Sequence, residues 1–302
     1  MKKKTIIAVF LASAFSLSGC GISAEQTSTD TNPIETQESI VVNPELSIPE
    51  TSIEEVPNQT PPQTSAFPLP TAAENAGIYV EPIPNLSDNF IRGMDVSSIL
   101  AEEKSGVKYY NAEGKEQDVF TTMAEAGVNY ARIRIWNDPF DENGNGYGGG
   151  NNDLATAIAL GKRATENGMK VCIDFHYSDF WADPAKQMCP KAWIDLSLEE
   201  KSNALYEFTK DSLTQLLENG VDVCMVQVGN ETNNGMAGET QIPNIAKLMN
   251  SGSKAIREVS KNYDKDIEVA LHYTNANDYD GLDSILYKLS SFQVDYDIFA
   301  LS

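Results

Sequence analysis

The apolar run VDVCMVQV (221–228) ends in Gly229-Asn230-Glu231-Thr232, so a buried-looking strand delivers an amide and a carboxylate at its very end. Such a pair either caps the helix that follows or is mounted there as an acid. Two arginines, Arg132 and Arg134, sit in RIRIW and share one face of a strand by its period of two. Buried arginines need carboxylate partners, and Asp95 and Asp174 lie on neighbouring apolar runs. His176 and His272 are the only histidines, both at strand ends. Two histidines without a third ligand or an HExxH pattern do not describe a metal site, so no metal is assigned to them.

The elements that position these residues read as strict β-α alternation. Strands are predicted at Arg92–Ser97, Tyr130–Trp136, Lys170–Phe175, Val221–Val228, Ile267–His272 and Asp295–Ser302. Helices are predicted near Glu116–Ala126, Asp153–Asn167, Leu198–Asn219, Ile242–Asn262 and Leu282–Ser291, several ending on Gly or Asn as C-caps prefer. Apolar strands alternating with helices make a parallel sheet covered by helices. The first strand ends RGMDVSS rather than in a glycine-rich phosphate loop, which argues against a doubly wound sheet. Polar groups at the carboxyl end of nearly every strand (Asp95, Arg134, His176, Asn230 with Glu231, His272) argue for an α/β (β/α)8 TIM barrel. The chain carries about six of its strands, and the expectation is that it is a fragment lacking two βα units. Such a piece alone would fold poorly through its open edges.

Charge and composition narrow the partners. The 302 residues carry a formal charge of −22, with 41% hydrophobic and 9% aromatic residues. That acidity repels phosphates and excludes nucleic acid as a partner.

Residues 1–20 read as a leader. MKKK is a basic start, and TIIAVFLASAFSLS is an apolar run of about 14 residues, short of the ~20 that span a bilayer. Leu17-Ser18-Gly19-Cys20 resembles the lipobox of bacterial lipoproteins, so Cys20 is the expected lipidation site and a diacyl chain the expected membrane anchor. Residues 21–80 are rich in Thr, Ser, Pro and Glu without one Lys or Arg, and are expected to be a disordered acidic tether. Residues 81–302 are the expected barrel domain. Cys172 and Cys224 lie in apolar strands and Cys189 in a loop; three such cysteines cannot all pair within one chain.

RGMDVSSI (92–99), RIRIWNDP (132–139), DFHYSDFWADP (174–184) and VGNET (228–232) together resemble glycoside hydrolase family 53, the arabinogalactan endo-β-1,4-galactanases. The similarity runs from about Gly77 to Ser302. It implies an endo-galactanase acting with retention on β-1,4-galactan, the side chain of type I arabinogalactan in pectin; with the leader read above, the expectation is a secreted, surface-anchored monomer. The runners-up are another endo-glycosidase of the same clan, a catalytically incomplete galactan-binding surface lipoprotein, and a phosphate-handling barrel.

The resemblance makes Glu231 the catalytic acid/base. It implies that Asn230 binds the sugar hydroxyl beside the scissile carbon and that one arginine, Arg134, orients the nucleophile. Retention needs a second carboxyl about 5–5.5 Å away. In the family this comes from the seventh strand, so no residue here is assigned to it and the chain alone is expected to be inactive. Arg134, His176, Trp181, Asp183 and His272 complete the expected substrate-binding set, the two histidines either contacting sugar hydroxyls or orienting the carboxylates. The loop aromatics Trp136, Tyr147, Tyr177, Phe180, Trp181 and Trp193 suit the apolar faces of galactose, about half of them being expected to pack loops instead.

No cofactor is expected. DENGNGYGGGNND (141–153) resembles the first half of a calcium loop at Asp141, Asn143, Asn145 and Gly146. Asn152 stands where a bidentate Glu belongs, so this is at best a weak calcium site and more simply a glycine-shaped loop. The family's calcium loop lies near the eighth strand.

Overall fold

The computed structural model describes residues 5–8, 83, 85–87 and 89–302. The expected lipidation site Cys20, the expected leader apart from residues 5–8, and the expected tether lie outside the described residues.

Seven strands form one parallel sheet: β1 (Thr5–Ala8), β2 (Gly93–Asp95), β3 (Tyr130–Ile135), β4 (Lys170–Phe175), β5 (Val223–Val228), β6 (Glu268–Tyr273) and β7 (Ile298–Leu301). Their order is β1-β7-β6-β5-β4-β3-β2, so from β2 to β7 every strand lies beside its neighbour in sequence. That order, with a helix between successive strands from β3 on, is a partial (β/α)8 barrel carrying the six expected strands. The strand β1 is an addition within the expected leader. Its backbone runs parallel to β7, Thr5 opposite Ile298 and Ala8 opposite Leu301. An uncovered parallel edge offers unpaired N–H and C=O groups, and the sequence Thr-Ile-Ile-Ala has the β-branched composition that fits beside it.

The covering helices are α1 (Ile99–Lys104), α2 (Val119–Glu125), α3 (Leu154–Glu166), α4 (Leu198–Glu218), α5 (Ile242–Asn262) and α6 (Tyr279–Ser291). Their starts are written locally. Asp118, Asp153 and Asp278 accept from backbone N–H groups of the first turns of α2, α3 and α6. Ser197 and Glu200 form a reciprocal capping box on α4. Gly168 and Gly220 follow α3 and α4 with φ of 75° and 80°, the left-handed step that ends a helix at little cost to glycine. Because Asp278 caps α6, that helix begins at Tyr279, earlier than its apolar pattern indicates. The six-residue α1 and a 3-10 turn at Lys191–Trp193 were not expected, being too short to show a periodic apolar face.

Alternation along the strands sorts the interior into two layers. Ile133, Ile135, Ile173, Phe175, Val226 and Val228 are fully buried in the main core under the helices. The other face turns inward. Tyr130, Cys172, Met225, Ala270 and Ile298 form a small apolar floor inside the barrel. Above that floor, toward the carboxyl ends, the same strand faces carry Arg132, Asp174, Gln227 and His272. A shift of register between Val171 and Cys172 places the extra residue Cys224 at a bulge of β5, where it is only partly buried. Cys172, Cys189 and Cys224 are unpaired thiols.

Candidate active site

The site begins with charge that has been taken indoors. Arg132 reaches from β3 to Asp95 of β2 at 2.7 Å and to Asp174 of β4 at 2.6 Å. Asp174 is fully buried, and its oxygens also receive His176 Nε2 at 3.0 Å and Gln227 Nε2 at 2.5 Å. Burial works against the charge on Asp174, but Arg132 and His176 outweigh it and hold the carboxyl below its usual range. Asp95 behaves the same way: burial opposes, Arg132 and Arg134 prevail, and its carboxyl is lowered.

The network fixes two tautomers. His176 Nδ1 lies 3.1 Å from Trp136 Nε1 and 3.0 Å from the Ala182 amide nitrogen, both of them donors. Nδ1 therefore accepts, and the proton sits on Nε2, facing Asp174. Asn230 donates from Nδ2 to the Ala182 carbonyl at 2.8 Å, and its Oδ1 accepts from Arg132 at 2.9 Å. That orientation makes His272 Nδ1, 2.9 Å from the same Oδ1, a donor, this nearer contact outweighing the Glu231 amide and Gln227 Nε2, which face the same nitrogen at 3.4 Å. His272 Nε2 then accepts from the Ser302 hydroxyl at 3.0 Å. Burial, with Arg132 adding to it, pushes the His272 imidazole down to about 4, so it is neutral near pH 7.

Both histidines lie where they orient polar partners, one of the two roles the sequence left open. His176 is wholly inaccessible and His272 only 5% exposed, with their ring nitrogens committed to protein partners. Neither is open to a sugar. They pack behind the site, one orienting Asp174 and the other Asn230. Trp136, Tyr177 and Trp193 are likewise core residues, whereas Tyr147, Phe180 and Trp181 are exposed at 44%, 39% and 38%. Trp181 is covered at 4.1 Å by the Arg134 guanidinium, whose Nε is buried with no hydrogen-bond partner among the described residues. Burial outweighs the neighbouring carboxylates and lowers the pKa of Arg134.

Against this engaged background stands Glu231. It follows β5 in a turn where Gly229 has φ of 82° and Glu231 itself 47°, a left-handed conformation unusual for a side chain of its size. The Glu231 carboxyl has no hydrogen bond or ion pair among the described residues. Its pKa is raised first by burial and then by the like charge of Asp183, with Arg132 opposing. Asp183, on the loop after β4, accepts from the Ala185 amide at 2.8 Å. An acid in this state holds its proton to higher pH than an exposed glutamate and can give it to a leaving oxygen.

Two residues of the site were missed by sequence reasoning. Gln227 joins Arg132, Asp174 and Asn230, and its one signal was a lone amide within the apolar strand VCMVQV. Gln187 joins the loops after β4 and β5 and carried no signal at all.

The loop at 141–153 closes on itself: Asp141 accepts from the amides of Asn143 and Asn145 at 2.9 and 2.7 Å and from the Asn145 side chain at 2.9 Å. Among the described residues no three His, Cys, Asp or Glu side chains are placed to hold a metal ion. None of the described helices is long and apolar enough to cross a membrane.

A parallel β/α barrel with a half-buried glutamate of raised pKa at the end of one strand, backed by buried Arg-Asp pairs and edged by aromatic rings, has the build of a barrel glycosidase. The comparisons narrow that class. Residues 91–302 match the profile of glycosyl hydrolase family 53, and the chain belongs to that family. An endo-beta-1,4-galactanase of Bacillus subtilis (strain 168) is 56% identical over 225 residues, covering 74% of this chain and 52% of the relative. The arabinogalactan endo-beta-1,4-galactanase A of Aspergillus niger is 32% identical over 219 residues, covering 70% and 60%. Among solved structures, the Ignisphaera aggregans GH53 catalytic domain superposes with a TM-score of 0.71 at 37% identity, over 74% of this chain and 62% of that one. A fungal beta-1,4-galactanase structure gives 0.64 at 32%, over 70% and 63%. The chain thus spans about half to three fifths of the length of these relatives.

Proposed function

We propose that the protein is an endo-β-1,4-galactanase that hydrolyses the galactan of type I arabinogalactan with retention, Glu231 giving the leaving oxygen its proton and then activating water. The observation that carries this is the state of Glu231: half-buried, without a cation bonded to it, its pKa raised by burial and by Asp183. The names of the relatives point to galactan. Asn230 has one amide hydrogen on Ala182 O and its other without a partner among the described residues, which suits a donor to the sugar hydroxyl next to the cleaved bond. Trp181 is exposed over Arg134, and Asp183 lies near enough to Glu231 to raise its pKa. Asp95 and Asp174 share one guanidinium as its structural partners, and Asp174 has no accessible surface from which to attack a sugar. The unpartnered Nε of Arg134 fits a carboxylate arriving there, as a nucleophile oriented by this arginine would. Anchoring of the protein at the cell surface through a diacylated Cys20 belongs to the same proposal and rests on the MKKK start and the Leu-Ser-Gly-Cys motif.

The test is Glu231→Gln in the enzyme carrying all eight strands. On β-1,4-galactan, turnover should fall by about 10²–10⁴-fold, the usual worth of general acid–base catalysis. An aryl β-galactoside oligomer with a good leaving group should lose far less in its first step. Equal losses on both substrates at unchanged melting temperature would remove Glu231 from the role, and products from glucan or mannan but not galactan would replace the substrate.

A further inference from the structure

The turn that presents Glu231 raises a bookkeeping problem for its backbone. Left-handed steps at Gly229 and Glu231 swing the carbonyls of Asn230 and Glu231 out of the strand ladder, and half-buried carbonyls need donors. On the β6 side the turn is held through its following residues: Thr232 donates from its amide to His272 O at 3.0 Å, and Asn233 exchanges two hydrogen bonds with the Thr274 backbone. Those bonds leave the two carbonyls untouched. A single side chain takes both. Gln187 Nε2 lies 2.8 Å from Asn230 O and 3.3 Å from Glu231 O, and also 3.1 Å from Asp183 O.

We propose that Gln187 is the positioning residue for Glu231, its one amide clamping the strained turn that carries the acid to the loop that carries Asp183. The inference rests on Glu231 being the proton donor. Three observations support a dedicated clamp rather than incidental packing. The Gln187 backbone is itself pinned, its carbonyl accepting from the Gly238 amide at 2.7 Å, so the side chain starts from a fixed point. A Cβ at Gly235 would sit 3.1 Å from Gln187 Cβ, so the chain opposite leaves just enough room for this side chain. Gln187 Oε1 is buried with no partner, so the amide is oriented by what its nitrogen gives and not by anything its oxygen receives. A methionine of the same length would relieve that orphaned oxygen, which makes the amide costly to the fold unless the nitrogen's contacts are worth having.

With the clamp in place, Glu231 stays half-buried and near Asp183. Without it the turn is free to relax outward, and both influences on the acid weaken together. The proton is then lost at lower pH, so the alkaline limb of the pH profile moves toward acid.

The experiment compares Gln187→Met, which keeps length and removes the donor, with Gln187→Glu, which can donate only while protonated. Both are made in the enzyme carrying all eight strands, beside Glu231→Gln. On galactan, Gln187→Met should lower kcat by about 10²-fold, the cost of displacing a catalytic group by about an ångström, with KM nearly unchanged. Its alkaline limb should move to lower pH, and an aryl substrate with a good leaving group should lose much less. Gln187→Glu should lose activity more steeply as pH rises and decides the matter if Gln187→Met does not fold. The proposal is overturned if both variants keep the wild-type profile, or if the loss is equal on both substrates with the alkaline limb unmoved. If Glu231→Gln itself remains active, the proton-donor reading falls first; if Glu231→Gln is dead and the Gln187 variants are unaffected, only the clamp falls.

Discussion

Arg132→Met tests the electrostatic frame behind the site. The substitution roughly conserves length while removing the cation between Asp95 and Asp174. The two carboxylates are not equally exposed to the loss. The Asp95 side chain is 21% accessible and keeps the Ser97 amide at 3.1 Å, so water and that bond compensate much of the change. Asp174 has no accessible surface and keeps only His176 and Gln227. The cost is therefore essentially that of leaving one buried carboxylate without its cation, about 3–5 kcal/mol. For a domain of this size that is a fall in Tm of about 6–20 °C.

The pH dependence of Arg132→Met follows from the same geometry. In the wild type the Asp174 carboxyl lies below its unfolded value, so its contribution is present above about pH 4 and lost as pH falls through the lowered folded value. In the variant, burial is no longer outweighed and the folded value rises above the unfolded one. The defect should then shrink as the solution is acidified toward pH 4, because the buried group can protonate. Urea unfolding from pH 4 to 8 reads this directly. Adding Asp174→Asn to Arg132→Met should restore most of the stability at pH 7, since the orphaned charge is gone. A double variant no more stable than Arg132→Met, or a defect constant across that range, would refute the reasoning.

Three further outcomes follow from individual residues. Nitrogen NMR of His272 should show a neutral ring protonated on Nδ1 from pH 5 to 8, with protonation only near pH 4; a midpoint near 6.5 would contradict the buried network. Cys172, whose thiol burial pushes up to about 12, should resist disulfide reagents in the native state while Cys189 and Cys224, both partly exposed, react; equal rates would show the barrel floor to be open. Glu231→Gly should relieve the left-handed step and raise stability by up to about 1 kcal/mol, net of the freedom glycine gains on unfolding, while abolishing galactan hydrolysis. A less stable variant would mean that the Glu231 side chain contributes packing the strain argument leaves out.

The sequence made the strands legible because parallel strands buried on both faces are written as short apolar runs, and the helices because four of the six carry long amphipathic patterns. The barrel was legible from polar residues recurring at the strand ends, and those residues do converge in the structure. Their division of labour was not. His176 and His272 look alike in sequence, each at the end of an apolar strand, and nothing local decides between contact with a sugar and orientation of the carboxylates. What buries them is the choice of partners across the barrel: Trp136 and Ala182 for one, Asn230 and Ser302 for the other. Those partners lie between 6 and 42 residues away, beyond any local pattern. Gln187 was invisible for the same reason, since its meaning depends on two carbonyls more than 40 residues ahead whose need for a donor arises only from the turn geometry.

That contrast bears on how one site can shift its carboxyls in opposite directions. Asp95 and Asp174 are on strands, where the inward face of β3 brings Arg132 against both, and each is held ionised. Glu231 is one turn beyond its strand. Had its backbone stayed extended, it would have continued the alternation of β5 above Gln227 and Gly229, into the region that Arg132 commands. The left-handed steps at Gly229 and Glu231 interrupt that alternation, and Arg132 meets the Asn230 amide instead of the Glu231 carboxyl. The strain at Glu231, which such conformations cost at about 1–3 kcal/mol, thus separates the acid from the cation that would hold it ionised. It leaves Glu231 beside Asp183, where a like charge favours the protonated form. In this barrel the protonation state of each acid is set by whether its backbone follows the strand or leaves it.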